Sequence, residues 1–370
     1  MFNFLTKNQP LVKTVSAAPR PVPAAGAPSA ELPDIKTAYL SLSEVNAKTI
    51  GDLCALAEGP ALVMGFLSPD IPVQDATAAL KRELKASTKL ILMTTAGELC
   101  RQPGSHSIYC TADDNRGKIL LQAYSNRMIE DTYIMNIPLP NQDIKSGQVS
   151  MTVNDRVELI KKEISRHKIP FRLSINHSFA LIYVDGLSNC ETFVMQALYE
   201  DGGFPCPFIG GSSGGKLDFK HTYIYDNERI VENSAIITFV RLKHDYRYGI
   251  LKTQAVSRTG DVFSIINANA TLRCVETVAD ANGQPISFID ALKRRFNCST
   301  VADVTRALQD YTFGIDIRGE NFIRSVAGID EAQNHVNFFC DVFGGEKLYL
   351  LKRDSLESTL ERDLNEFCAG

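Results

Sequence analysis

At 370 residues the chain exceeds the roughly 250–300 at which a single core stops growing, so two domains are expected. Its 44% hydrophobic and 22% charged residues exclude a disordered or fibrous chain and supply a core throughout. A net charge of −4 and a pI near 5.9 give no basic field, which argues against nucleic acid or an anionic lipid surface as a partner.

From Ser16 to Pro33 the chain is rich in Pro, Ala and Gly; such a stretch buries too little apolar surface to order itself, so residues 1–34 are expected to form a flexible leader. Apolar residues at helical spacing between Ile35 and Glu58, among them Leu40, Val45, Ile50 and Leu53, predict a short helical or mixed segment. Ala61–Ser68 and Lys89–Thr95 are continuous apolar runs that read as strands, and an amphipathic helix spans about Val73–Lys85 between them. That rhythm predicts a sheet covered on both faces with a parallel crossover. Further strands are predicted near Lys118–Ser125 and Thr132–Leu139, with Gly104–Arg116 irregular. A helix follows over Asp155–His167, then a buried strand over Ser178–Ser188 and a helix from Cys190. The run Pro207–Gly215 breaks into a glycine-rich loop. The stretch from His221 to Leu242 alternates and turns at Asp226–Glu228, which predicts a hairpin.

After about Lys243 the character changes to short strands, including Tyr248–Ser257, with short helices at DALKRRF and VADVTRAL. Turns are predicted at Arg318–Glu320, Asp330–Asn334 and Gly344–Glu346. A terminal amphipathic helix carries Leu356, Leu360 and Leu364 on one side, with Ser355 as its N-cap. The expected architecture is α/β plus α+β. Residues 35–242 form a mixed or parallel sheet half with flanking helices, and residues 243–370 a largely antiparallel half with short helices. No internal sequence repeat is evident, although two comparable sheet-bearing halves are expected.

Nine cysteines without a CxxC pair suit reduced thiols in a cytoplasm. No apolar run reaches the roughly 18–20 residues that cross a bilayer, and the start does not read as a signal peptide. The six histidines form no HxxxH, HxH or HExxH pattern, which argues against a zinc hydrolase. A single histidine suffices for a haem ligand, and without CxxCH any haem would be non-covalent.

Several segments are candidates for ligand contact. In Gly210, Gly211, Ser212 and Ser213, continuing to Gly215, glycines allow close backbone approach and hydroxyls flank the amides; the same loop serves equally well as a tight turn. It is not a Walker loop, because Leu217 stands where the hydroxyl residue belongs. Gly211–Gly215 matches GxSxG literally, but an elbow leads into a long apolar helix and this one leads toward strand. Thr94, Thr95 and Gly97 follow an apolar strand, where ligands of open α/β sheets sit; they are also an ordinary polar strand end. Asp185, with Gly186, ends another buried strand in a comparable position, where Asp is usually a turn residue. Arg324 is a charge within an apolar strand, suited either to a carboxylate or to solvent.

Taken in order, ALVMGFLSPDI, KLILMTTAGEL, ALIYVDGLSNCE, PFIGGSSGG and HTYIYDNERIVENSAIITFV resemble the N-terminal part of the FIST domain. GIDIRGENFIRSVAGID and VNFFCDVFGGEKLYLLKRD resemble its C-terminal part. The glycine segment departs from the family's pattern in carrying Gly215 where an Asp is more usual. The resemblance implies a bacterial cytoplasmic sensor domain, not an enzyme, of the chemotaxis or two-component type, methyl-accepting chemotaxis proteins included. Its partners would be a small molecule such as an amino acid or organic acid and an output domain, histidine kinase or chemotaxis machinery. No cofactor is expected, with a haem-based nitric oxide sensor as the alternative and a hydrolase using a Ser of the glycine-rich loop as another. A homodimer and a continuation past Gly370 are both compatible with it.

Overall fold

A computed structural model describes residues 31–100, 108–111, 117–216, 218 and 220–369. Most of the expected leader, His106 and most of Gly104–Arg116 lie outside the described residues. From Pro33 onward the chain forms one compact unit.

In chain order the first elements are β1 (Ile35–Ser41), a 3₁₀ turn, α1 (Ala47–Leu53), β2 (Pro60–Leu67), α2 (Val73–Glu83), β3 (Lys89–Thr94), the hairpin β4 (Gly97–Leu99) and β5 (Tyr109–Thr111), and β6 (Lys118–Ser125). Then come β7 (Ile129–Pro138), α3 (Gln142–Lys145), α4 (Val153–Ile164), β8 (Ser178–Asp185), α5 (Glu191–Asp201), β9 (Phe208–Ser213), the hairpin β10 (Ile224–Tyr225) and β11 (Ile230–Val231), and β12 (Ser234–Leu242). Sheet one has the order β1-β6-β2-β3-β10-β11 and sheet two the order β7-β12-β8-β9; the β2–β3 and β8–β9 pairs are parallel and the rest antiparallel.

Strand alternation sorts the apolar side chains into layers. Val63 and Leu67 of β2 pack with Leu90 and Leu92 against Ile50 and Leu53 of α1 and Ala76 and Leu80 of α2. Leu62 and Met64, on the opposite face, meet Ile91, Met93 and the residues Tyr183, Ile236 and Val240 of sheet two. Beyond sheet two, Ile182, Ile237 and Phe239 pack against Ile160 of α4 and Val194 and Leu198 of α5. The layers therefore run helix, sheet, sheet, helix. Both faces of each sheet are covered, which is why β2, β3, β8 and β12 read as near-continuous apolar runs.

The remaining elements are β13 (Val256–Asn269), β14 (Cys274–Ala279), β15 (Pro285–Ser287), α6 (Phe288–Phe296), α7 (Val301–Ala307), β16 (Tyr311–Ile317), β17 (Glu320–Arg324), β18 (Val326–Asp330), β19 (His335–Phe338), β20 (Lys347–Arg353) and α8 (Leu356–Ala369). Sheet three is antiparallel with the order β17-β16-β20-β13-β14-β19-β18, and β15 pairs with β14. Only Ser325 separates β17 from β18, the two ends of that order, so the sheet curls enough to bring the end of its first strand beside the start of its last, with no pairing between them among the described residues. Register shifts along β13, between Arg258 and Val262 and around Asn267, make the bend. Inside the curl Phe288 lies 5.4 Å from Phe263 and 5.7 Å from Phe313 between ring centroids. Among the described residues, no strand pairing joins residues 35–242 to residues 256–353.

The structure corrects three local expectations. Ile35–Ser41 is a strand rather than part of a helical segment, held in register against β6 from Lys118 to Tyr124. Phe208–Ser213 is a strand rather than loop, paired in parallel with Ala180–Asp185; its glycines lower intrinsic strand preference but permit close backbone approach. Tyr248–Ala255 forms no strand and is fastened by side chains, as by the Thr253 hydroxyl, which donates to Asp363. Predicted turns do reverse the chain at Asp226–Arg229, where Asp226 N–H donates to the Arg229 carbonyl at 3.1 Å, and at Arg318 and Asn334, both with left-handed φ.

Candidate functional site

A cleft of about 1060 Å³ opens at the carboxyl ends of β8 and β9. One wall is the segment Gly186–Glu191 with Ser212–Gly215; another is Leu272 and Arg273 ahead of β14; a third is β18 and β19 through Gly328, Asp330, Asn337 and Phe339. Ile144 and Lys145 of α3, Lys220–Thr222 and Ala96, which follows Thr95, also line it. Strand alternation explains the third wall: Val336 and Phe338 point into the core of sheet three, leaving Asn337 and Phe339 for the other side.

Close backbone packing builds the floor. A Cβ on Gly186 would lie 2.2 Å from the Ser213 carbonyl oxygen, and one on Gly214 would lie 2.7 Å from the Ala96 nitrogen. Asp185 is 2% exposed and its carboxylate is fully engaged, accepting from Thr222 Oγ1 at 2.6 Å, from Leu187 N–H at 2.8 Å and from Asn233 N–H. It therefore ties β8 to the segments entering β10 and β12, and is not free for a ligand. Beneath α3, Arg156 is 1% exposed and donates to both Asp143 oxygens at 2.8 and 3.0 Å. That guanidinium holds the Asp143 carboxyl below the usual carboxylate range against the opposing effect of burial. At the start of α5, burial pushes the Cys190 thiol up to about 12, so it stays protonated and unreactive.

The main polar feature of the cleft is Arg273. It is 5% exposed and takes a left-handed φ of 58°. Its Nε donates to Asp341 at 3.0 Å, its Nη1 to Asn189 Oδ1 at 3.0 Å and to the Phe339 carbonyl at 3.1 Å, and its Nη2 to Glu191. The other Glu191 oxygen accepts from Ser212 Oγ at 2.6 Å. Burial acts to lower the Arg273 pKa, but Glu191 and Asp341 outweigh it and raise it. A chain of polar contacts thus runs from β9 through α5 to sheet three and spans the cleft. Lys145 and Lys220, by contrast, have no ion-pair partner among the described residues.

The candidates from sequence divide accordingly. Ser212 and Ser213 line the cleft, with Gly214 and Gly215. Asp185 lies directly under it. Gly210 and Gly211 are exposed on β9 outside it, and a Cβ on Gly210 would fall 1.7 Å from the Ile182 carbonyl oxygen. Thr94 is 3% exposed and its hydroxyl accepts from Tyr223 N–H at 3.0 Å. Thr95 donates to Glu98, whose carboxyl is raised by burial, and Gly97 opens β4. Arg324 is absent from the cleft lining; its Nη1 donates to the Ile323 carbonyl at 3.3 Å and its Nε is buried without a partner among the described residues. Ser213 is 3% exposed; its Oγ donates to the Val184 carbonyl and accepts from Gly186 N–H, both at 3.4 Å. No histidine or carboxylate bonds it among the described residues. The described residues hold no cluster of His, Cys, Asp and Glu suited to a metal, and no helix long and apolar enough to cross a membrane.

Sequence reading missed Arg273, Glu191 and Asn189. The one local signal was an arginine placed between Leu272 and Cys274 at the head of an apolar strand.

The model of the FIST N domain matches residues 61–275, from β2 to just beyond Arg273. No curated protein matches the chain. With more than half its length matched, the chain belongs to the FIST family, a family of signal-transduction sensor domains.

Proposed function

We propose that this FIST-family chain binds a small polar metabolite, such as an amino acid or organic acid, in the cleft above β8 and β9. The resulting change passes to an output domain of a bacterial chemotaxis or two-component protein in the cytoplasm. The observation that carries this reading is the bridged cleft itself: about 1060 Å³ of space whose walls come from sheet two and sheet three and are fastened across by Arg273. A ligand that fits one spacing of the walls better than another shifts their equilibrium by its difference in affinity. Arg273 is already matched by two carboxylates, so its part is to hold the walls. The ammonium groups of Lys145 and Lys220 stand on the same cleft as Asp330 and Glu331, a mixture of signs that suits a ligand with both a carboxylate and an amine.

Binding without turnover is supported by the state of Ser213, which is buried and whose hydroxyl has no basic side chain bonded to it among the described residues. For haem, the residues fit poorly: His221 is the histidine on the cleft among the described residues, its Nδ1 bonds Glu232 at 2.9 Å, and its neighbours there are Lys220, Thr222 and Gly215, whereas haem takes an imidazole in an apolar pocket.

The test is a thermal-shift screen of the purified chain against amino acids and organic acids, beside an absorption spectrum. A ligand at 100 times its dissociation constant adds about 2.7 kcal/mol. The expected result is a specific stabilisation, lost in Ser212→Trp, where a bulky ring fills the cleft. A Soret band with no metabolite effect overturns the reading in favour of a haem sensor, and release of a chemically altered ligand overturns it in favour of an enzyme.

A further inference from the structure

Sheets one and two repeat a single plan. Numbered by appearance within residues 35–125 and 129–242, the main strands of each lie in the order 1-4-2-3: β1-β6-β2-β3 and β7-β12-β8-β9. In both, the second and third strands are parallel and joined through a helix, α2 or α5. The registers correspond as well. Leu62 faces Lys89 and Leu67 faces Thr94, as Ala180 faces Phe208 and Asp185 faces Ser213. Gly211, Ser212 and Ser213 of β9 are therefore the counterparts of Leu92, Met93 and Thr94 of β3.

The two third strands differ in what covers their outer edges. Along β3 runs β10, antiparallel, with Ile224 opposite Met93 and Tyr225 opposite Leu92; Tyr223 N–H donates to Thr94 Oγ1 at 3.0 Å and Leu90 N–H to Asn227 Oδ1 at 2.9 Å. Along β9 runs nothing: β8 is its one strand partner among the described residues. Ile209 is 42% exposed, and Gly210, Gly211 and Ser212 are exposed too. Natural sheets blunt open edges with lysine, proline or a bulge. FIGGSS carries none of these within the strand.

We propose that the β9 edge is a docking site for an extended peptide, which adds to sheet two antiparallel to β9 as β10 adds to β3. The chain's own equivalent insertion, β4–β5, lies against sheet one, where Cys110 is 3% exposed and sits beside Tyr39 of β1. Its described residues do not pair with β9, and the occupant is a separate peptide. Recognition is by main-chain hydrogen bonds, because Gly210 and Gly211 offer the incoming strand no side chains, and sequence preference is correspondingly broad. An antiparallel strand enters from the Ser213 end, so its amino terminus lies in the cleft near Glu191 and Asp330. The site adjoins the proposed metabolite site but does not depend on it.

The probe is a synthetic peptide copying residues 221–227, the stretch that covers β3, labelled at its carboxyl end and titrated with the full chain by fluorescence anisotropy. Single N-methyl groups are then walked along its backbone. The expected result is saturable binding that weakens about tenfold for N-methylation at alternate positions and is unchanged at those between, with slowed amide exchange in Ile209–Ser213. No saturation up to millimolar peptide overturns the proposal. So does equal tolerance of every N-methyl group, or an exchange change confined to β3, which would mean displacement of β10. Metabolite stabilisation without peptide binding overturns this proposal and leaves the sensor reading standing; peptide binding at β9 without any metabolite effect does the reverse.

Discussion

Arg273 combines two costs that fold elsewhere in the chain must offset: a buried charge and a left-handed backbone. The charge is balanced only while Glu191, Asp341 and Asn189 stay in place, so truncation leaves two carboxylates facing each other without their cation. Arg273→Ala is expected to lose about 3–5 kcal/mol in urea unfolding. Arg273→Gly should lose about 1 kcal/mol less, because glycine takes the left-handed φ without strain; equal losses would mean that the backbone there is unstrained. Asp34 is held by a different clasp, with Arg127 Nε and Nη2 at 2.9 and 2.8 Å, Ser125 Oγ at 2.6 Å and the Tyr246 hydroxyl at 2.9 Å. The hydrogen bond from Arg127, opposed by burial and aided by Ser125 and Tyr246, lowers its carboxyl from 3.8 to about 2. Since the folded value lies below the unfolded one, Asp34 contributes fully above about pH 4 and loses that contribution as pH falls toward 2. Unfolding free energy measured across that window should fall less steeply in Asp34→Asn than in the wild type; parallel slopes would refute the clasp.

At the scale of elements, β9 is where backbone geometry overrides composition. Gly210→Ala sets a Cβ 1.7 Å from the Ile182 carbonyl oxygen, a backbone atom that cannot swing aside, while Gly211→Ala meets nothing within 4 Å. Gly210→Ala is expected to cost about 3 kcal/mol and Gly211→Ala less than about 0.5 kcal/mol; similar thermal midpoints for the two would contradict the close β8–β9 pairing. This strand also shows what sequence conceals. The apolar runs of β2, β3 and β8 were legible because burial on both faces leaves an unbroken hydrophobic signature, and Ser355 was legible as a cap, as Ser358 N–H donating to its hydroxyl confirms. FIGGSS has no such signature, since neighbouring main chain rather than side-chain burial holds it in place. The duplication of sheets one and two was hidden for a related reason. Leu67 and Asp185, or Ile91 and Gly210, occupy matching positions and share no chemistry, because Leu67 and Ile91 are buried in a core whereas Asp185 lies under the cleft and Gly210 on an open strand. Arg273 was hidden because its partners are separated from it by 66 to 84 residues, a distance over which no local pattern operates.

For the whole molecule, the question is how a change at the cleft reaches the end of the chain. Residues 243–255 connect β12 of sheet two to β13 of sheet three, and α8 lies against that connection rather than against a core: Asp363 accepts from Thr253, and a Cβ on Gly249 would fall 2.3 Å from the Phe367 ring. Leu364 and Phe367 are otherwise 43% and 46% exposed, so the apolar stripe of the helix is only partly used. Any movement of sheet two relative to sheet three strains this connection first, and α8 is fastened to it at two points about one helical turn apart. Gly249→Ala removes one of them, since the exposed Phe367 ring can turn away at little cost. Global stability should change by less than about 1 kcal/mol and metabolite affinity should be unchanged, because no cleft residue is touched. Amide exchange in the last turn of α8 should rise and lose its response to metabolite, while the response of β19 remains. If α8 still responds to metabolite as it does in the wild type, the signal does not leave by the Gly249 contact, and the Thr253–Asp363 hydrogen bond becomes the link to break next.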